Sequence, residues 1–251
     1  INIKNISTKE KKDFISIYIK PTNLVITQLR GTKEQINIMN NKKFFYPSTN
    51  AKLLNDFLEQ KEKFEDIESV VNASSTLNRE LYVGGVSDEM SGGLEAVIRF
   101  WNRLDEQENI PVEERTPIKL YIDSWGGDLV ACYTIINAIE LSKTPVWTIC
   151  IGAAYSAGFF IYIAGHKRFA YPLASFLYHE GSTAAMGDAH KFRNQADFYK
   201  KQLDQLKAHT LKYTKLSEAD YERILKDDYW LTAPEAVEQG IVDVILTEGI
   251  L

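Results

Sequence analysis

Two cysteines and four histidines are few for a chain of 251 residues. Cys132 and Cys150 both lie inside apolar segments, as reduced, buried thiols of an intracellular protein do, so no disulfide framework is implied. No cluster of His, Cys or Asp has zinc spacing, and His179-Glu180 lacks the second helical histidine of a zinc-protease motif, which leaves no metal reading and no cofactor to expect. A long basic run is also missing. Lysines and arginines are scattered and the formal charge is −5, which gives no reason to expect nucleic acid or an anionic membrane as partner. The longest apolar stretch, over 146–165, is interrupted by Gly152, Ser156, Gly158 and Gly165, which argues against a membrane span. No signal-peptide pattern opens the chain, and its first residue, Ile1 rather than Met, is what a trimmed or processed chain would show. Nucleotide-binding motifs are lacking as well. What is present, 45% hydrophobic and 25% charged residues, belongs to an ordinary globular protein with room for one large domain and an appendage.

The chain changes character near residue 79. Before it, Phe14 to Ile19 and Leu24 to Leu29 read as two short strands around Pro21-Thr22-Asn23, and Ala51 to Phe64 carries Leu53, Leu54, Phe57 and Leu58 at helical spacing. Residues 1–78 are thus expected to form a small α+β extension of unknown role, and 79–251 a separate domain. Beyond 79 the pattern is regular. Leu81-Tyr82-Val83 reads as a strand, followed by Leu94, Val97, Ile98, Trp101 and Leu104 on one helix face. Ile118 to Ile122 reads as a second strand, Leu129 to Leu141 as a helix, and Val146 to Ile151 as a buried strand. Short strands follow at Phe169 to Tyr171 and Phe176 to Tyr178. Strands alternating with helices predict an α/β fold with a mainly parallel sheet.

Two turns carry chemistry. Gly152-Ala153-Ala154-Tyr155-Ser156-Ala157-Gly158 separates the strand at Val146 from the apolar run Phe159 to Ala164, read as a helix. Ser156 therefore sits where a strand hands over to a helix N-terminus, whose unpaired N–H groups favour a developing oxyanion. The second turn is Asp123-Ser124-Trp125-Gly126-Gly127, again after a strand, with paired glycines that suit a loop offering backbone N–H groups. Ligands gather outside the carboxyl ends of strands in open α/β sheets, and both turns lie at such ends. A serine nucleophile needs a base. His166, His190 and His209 read as solvated surface residues, whereas His179 follows the strand at Phe176 and opens a loop. For an orienting acid there is Asp227-Asp228, just before the apolar pair Tyr229-Trp230, where a carboxylate can be held partly out of water; spacing does not choose between the two.

From about Arg79 to Leu246 the chain resembles the proteolytic subunit of the caseinolytic (Clp) protease, ClpP, a self-compartmentalising serine peptidase. Four blocks carry the resemblance: Leu120 to Gly127, Ile149 to Gly158, Tyr178-His179, and Asp228 followed by Leu231 to Asp243. It implies the ClpP/crotonase-like fold, with repeated β-β-α units, a mainly parallel sheet and a long handle helix. It also implies that Ser156 is the nucleophile, His179 the general base, Asp228 the orienting acid, and Gly127 and Ala157 the oxyanion hole. Further implications are a peptide or unfolded-protein substrate, a cytoplasmic homo-oligomer of heptameric rings, single or paired, and a separate AAA+ unfoldase as partner. The handle would be the helix from about His190 to Tyr213, where Phe192, Ala196, Tyr199, Leu203, Leu206 and Tyr213 recur at heptad-like spacing. Thr232 and Glu235 form a capping-box pattern, with Pro234 in the first turn and Gly240 placed to close that helix.

The sequence also departs from that pattern. Thr183 and Ala184 replace the usual glycine pair after the histidine, Trp125 stands where proline is normal, Asp227 replaces an arginine of the inter-ring contact, and a turn between Gly165 and Arg168 is two residues shorter. These differences and the long N-terminal segment keep two alternatives open, a phage-type capsid maturation protease and a non-catalytic scaffold of the crotonase-like fold. A lysine-based signal-peptide peptidase fits poorly beside His179 and Asp228.

Overall fold

The computed structural model describes residues 15–19, 24–29, 75, 78–181, 187–224 and 227–248. The chain divides into two units, 1–78 and 79–251. In the first, β1 (Ile15–Ile19) pairs antiparallel with β2 (Leu24–Leu29), the two strands expected from their apolar clustering. The helix expected over Ala51 to Phe64 lies outside the described residues.

In the second unit the order is β3 (Glu80–Val83), α1 (Asp88–Gln107), β4 (Ile118–Ser124), α2 (Leu129–Glu140), β5 (Val146–Tyr155), α3 (Ala157–Ile163) and β6 (Lys167–Ala170). Then come β7 (Ser175–Tyr178), α4 (Ala189–Tyr213), α5 (Glu218–Ile224), β8 (Tyr229–Thr232), α6 (Ala233–Glu238) and β9 (Val244–Ile245). Strands β3, β4, β5, β6 and β9 lie side by side and parallel. The sheet branches along the long strand β5: its first half pairs with β6, and its last three residues pair with β7, parallel again. Strand β8 then adds antiparallel to β7. The expected α/β fold with a mostly parallel sheet and a long helix is what the chain forms.

Alternation explains which face is packed. In β4, Ile118, Leu120, Ile122 and Ser124 are fully buried, whereas Lys119 and Tyr121 are half-buried and Asp123 is exposed, the period of a strand covered on one face only. Helix α1 starts at the N-cap Ser87, whose hydroxyl accepts from the Met90 N–H, and it buries Leu94, Val97, Ile98 and Trp101. Helix α6 carries the expected capping box, in which Glu235 Oε2 accepts from the Thr232 N–H at 2.8 Å.

At the N-terminal ends of the strands a buried clasp joins four segments. Arg79, just before β3, donates to Asp105 of α1 at 2.6 and 2.8 Å and to the Thr116 carbonyl at 2.7 Å. Thr144, just before β5, donates to the same carboxylate at 2.7 Å, and the guanidinium lies 4.4 Å from the centre of the Trp101 ring.

Candidate active site

Strand β5 is longer than its apolar run predicts. The segment Gly152 to Tyr155, expected to be a turn, continues as strand because Ala153, Ala154 and Tyr155 pair with Ser175, Phe176 and Leu177 of β7. Only Ser156 turns. It has φ 52° and ψ −122°, a conformation that non-glycine residues rarely adopt and that costs about 1–3 kcal/mol. Three backbone bonds hold it there: its N–H donates to the Leu177 carbonyl at 2.9 Å, and its carbonyl accepts from the N–H groups of Phe159 at 3.0 Å and Phe160 at 3.4 Å. A sharp strand-to-helix turn of this kind lifts a serine hydroxyl above the end of the sheet. Beneath it, the buried Cys132 of α2 donates to the Ala157 carbonyl at 3.3 Å, which ties the first turn of α3 to the core.

The glycine loop lies directly against this turn. A Cβ on Gly126 would stand 2.7 Å from Ser156 Cβ and 3.1 Å from the Ala157 nitrogen, so only glycine lets the loop come this close. Gly127, at φ +149°, is pressed on Val86, where a Cβ would lie 2.1 Å from the carbonyl oxygen. The loop is held by Val86 N–H donating to Gly126 O and Asp128 N–H donating to Val86 O, both at 2.9 Å. Neither bond uses the N–H of Gly127, and Ala157 directly follows the serine at the start of α3.

Register brings in the other two groups. Tyr155 pairs with Leu177, and Leu177 pairs with Trp230 on β8. One residue further Tyr178 pairs with Tyr229 at the end of the ladder, and His179 and Asp228 are the next residues beyond it on the two chains. Their Nδ1 and Oδ1 atoms are 3.8 Å apart, an ion-pair distance rather than a hydrogen bond. The Asp228 side chain is 56% exposed and that of His179 is 33% exposed, so the carboxylate is only partly withdrawn from water. Among the described residues no hydrogen bond joins the Ser156 hydroxyl to His179. In unliganded enzymes catalytic hydrogen bonds are often long and tighten in the substrate complex.

The strand that carries His179 is firmly anchored. Tyr178 is buried between Phe159 and Phe160, with edge-on ring contacts at 5.8 and 5.6 Å, and its hydroxyl bonds to that of Tyr221 on α5. Burial, and then that bond, raise the Tyr178 pKa well above the tyrosine range; burial raises that of Tyr221 to about 12. After His179 the chain is tied to α4 by the Tyr199 hydroxyl, which donates to the Glu180 carbonyl at 3.1 Å. The residues Thr183 and Ala184, where the sequence departs from the glycine-rich pattern, lie outside the described residues.

Of the remaining histidines, His190 is exposed as expected. His209 is not a surface residue. Its side chain is 10% exposed, with Nε2 3.0 Å from the Phe160 carbonyl of α3 and Nδ1 3.3 Å from Glu140 of α2. The polar composition of α4 hid this position. His166 touches solvent, yet its Nδ1 accepts from the Val146 N–H at 2.9 Å where β5 begins. Among the described residues no group of three potential ligands could hold a metal ion, and no helix is long and apolar enough to cross a membrane. Burial lifts the Cys150 thiol to about 12 and that of Cys132 further still, so neither is a ready nucleophile.

One feature of the site was missed in the sequence. Trp125, Tyr155 and Trp230 touch in a row beside Ser156, although each is within two residues of a residue singled out for chemistry. That shared adjacency was the available signal.

A parallel-sheet α/β protein with a strained serine, a glycine loop, a histidine and an aspartate at the carboxyl edge of its strands has the layout of a hydrolase. The comparison with known families agrees. A family model described as Clp protease matches residues 104–249, more than half of the chain. The chain belongs to the Clp protease family. The match begins inside α1, so the N-terminal unit lies outside it.

Proposed function

We propose that this chain is a serine endopeptidase that cleaves peptides or unfolded proteins through an acyl-enzyme. The observation that carries this reading is the positive-φ turn at Ser156, with His179 and Asp228 brought alongside by the β5–β7–β8 register. In this mechanism the Ser156 hydroxyl attacks the peptide carbonyl while His179 takes its proton. The carbonyl oxygen becomes an oxyanion and accepts from the N–H groups of Gly127 and Ala157; losing one such donor typically costs about 3 kcal/mol of barrier. His179 then protonates the leaving amine, which frees the first product. Water, deprotonated by His179, attacks the acyl ester and regenerates the serine. Asp228 holds the imidazole tautomer and stabilises the imidazolium.

The assembly that fits this reading is a homo-oligomeric chamber of rings in the cytoplasm, fed by a separate ATP-driven unfoldase. Helix α4 supports it. Residues 189–198 are exposed throughout, with Phe192 and Phe198 among them, whereas Leu206 and Thr210 near the other end are buried against the domain. An amphipathic helix that leaves its domain in this way suits a seam with a second copy.

The test is turnover of a fluorogenic peptide by the full chain and by Ser156→Ala, with fluorophosphonate labelling of the serine in parallel. Turnover should be abolished by the substitution, a loss on the order of 10^4-fold or more. Undiminished turnover by Ser156→Ala would sink the assignment. Light scattering checks the assembly, and a monomer at every concentration would remove the chamber.

A further inference from the structure

We propose that the buried hydrogen bond between the hydroxyls of Tyr178 and Tyr221 sets how closely Asp228 stands to His179, which makes the two tyrosines positioning residues for the base. This inference rests on the peptidase reading of Ser156. Tyr178 holds both ends of the segment that carries Asp228. At one end it pairs in register with Tyr229, the first residue of β8. At the other, its hydroxyl donates to that of Tyr221 on α5. Asp228 lies between these two fixed points in the chain, and His179 directly follows Tyr178. One residue thus grips the segment bearing the acid and adjoins the base.

The pair needs such a support. Strands β7 and β8 end at Tyr178 and Tyr229, so regular strand pairing stops one residue short of His179 and Asp228. The two side chains face each other at 3.8 Å, longer than a hydrogen bond, so their spacing is inherited from the segments that carry them. The tyrosine bond is suited to fix that spacing. Both residues are 2% exposed, their ring centroids are 5.3 Å apart, and the Tyr178 ring also rests edge-on against Phe159 and Phe160 of α3, the helix that follows Ser156. Phenylalanine would fill nearly the same space; what the hydroxyls add is a directional link from β7 to α5. Away from water each hydroxyl has strong reason to stay bonded, since leaving one unpaired costs about 1–3 kcal/mol. Burial holds both in the protonated form, with Tyr221 raised to about 12 and Tyr178 further, so the link persists throughout the neutral range. A separate tie of α5 to α4, the Lys207–Glu222 ion pair at 2.6 Å, lies at the surface and does not touch the hydroxyls.

The experiment measures turnover of a fluorogenic peptide by the full-length chain, by Tyr178→Phe, by Tyr221→Phe and by the double variant. Fluorophosphonate labelling of Ser156 in the unsubstituted protein is scored first. Absence of labelling overturns the peptidase reading and this inference with it. Given labelling, each Phe variant should lower kcat about tenfold and change KM by less than about twofold, because the base acts in the transition state and not in holding the peptide. The double variant should be no worse than either single one, since both substitutions remove the same bond. For the same reason one folded single variant is enough to read the effect. Lys207→Met cuts the surface tie of α5 and leaves the hydroxyls in place, so it should keep kcat within about twofold. Unchanged kcat in the Phe variants overturns the positioning role while leaving the nucleophile standing. Losses that multiply in the double variant overturn it too, as does a loss that falls on KM. An equal fall in kcat in Lys207→Met would do the same, by making general docking of α5 the cause.

Discussion

Two aspartates stand at opposite ends of the same sheet, each facing a nitrogen side chain, and they are built in opposite ways. At the N-terminal ends of the strands Asp105 is fully buried and takes a two-pronged bond from Arg79, with Thr144 donating to the same carboxylate. At the C-terminal ends Asp228 is more than half exposed and its oxygen stays 3.8 Å from His179. The first arrangement gives the carboxylate three donors and ties α1 to the segments before β3, β4 and β5. The second leaves the pair open to solvent, as the proposed mechanism requires for substrate entry and proton movement. One end holds the sheet together, and the other is loosely paired and open to solvent.

The sharpest way to break this contrast is to remove each carboxylate in turn. Asp228→Asn should lower kcat on the order of 10^4-fold, as loss of a tautomer-holding acid does, while shifting stability by less than about 1 kcal/mol. Asp105→Ala should do the reverse. It leaves a buried guanidinium unpaired, so a loss of about 3–5 kcal/mol and a fall in Tm on the order of 10 °C are expected in thermal unfolding. If Asp228→Asn unfolds the protein, or Asp105→Ala is thermally silent, the two ends do not differ as described.

A smaller effect probes the tight side of the working end. Gly126→Ala puts a Cβ 2.7 Å from that of Ser156 at φ +99°, so Ser156 is pushed from its place. Peptide turnover should fall roughly 10^2-fold, with about 1–3 kcal/mol lost in denaturant titration. Wild-type turnover would mean that the loop yields instead of the serine.

The smallest effect is a pH dependence at the closed end. Partial burial lowers the His166 pKa, in keeping with an Nδ1 that accepts from the Val146 N–H and must stay unprotonated to do so. A depressed folded pKa means that this stability is fully present above the unfolded value of about 6.5 and is lost as pH falls through the lower folded value. The loss should be under about 1 kcal/mol, since the ring touches solvent. His166→Asn keeps an acceptor that does not titrate and should flatten this part of the curve. NMR titration of His166 at or above 6.5 would contradict it.

Much of this was legible in the chain. Alternation from Ile118 to Ile122, the helical stripe from Leu94 to Leu104, and the Thr232–Glu235 capping box all became the elements they predict. Position at strand ends singled out Ser156 and His179, whereas only the family resemblance chose Asp228 over Asp227. The continuation of β5 through Gly152 was not legible, because small residues resemble a turn and the glycine is needed for a distant reason: a Cβ there would lie 2.6 Å from Asp123 Oδ1. Nor was the burial of His209, which lies on the largely polar helix α4 yet faces the Phe160 carbonyl.

By itself, then, the sequence determined the local elements and the residue types at each strand end, because side-chain periodicity, capping and glycine conformations are properties of neighbouring residues. Tertiary structure alone decided the register among β5, β7 and β8. Through that register it decided which aspartate faces His179, how open that pair is, and which aromatic rings stand beside Ser156. Strand pairing joins residues far apart in the chain, and sliding it by one residue would turn each of those side chains to the other face.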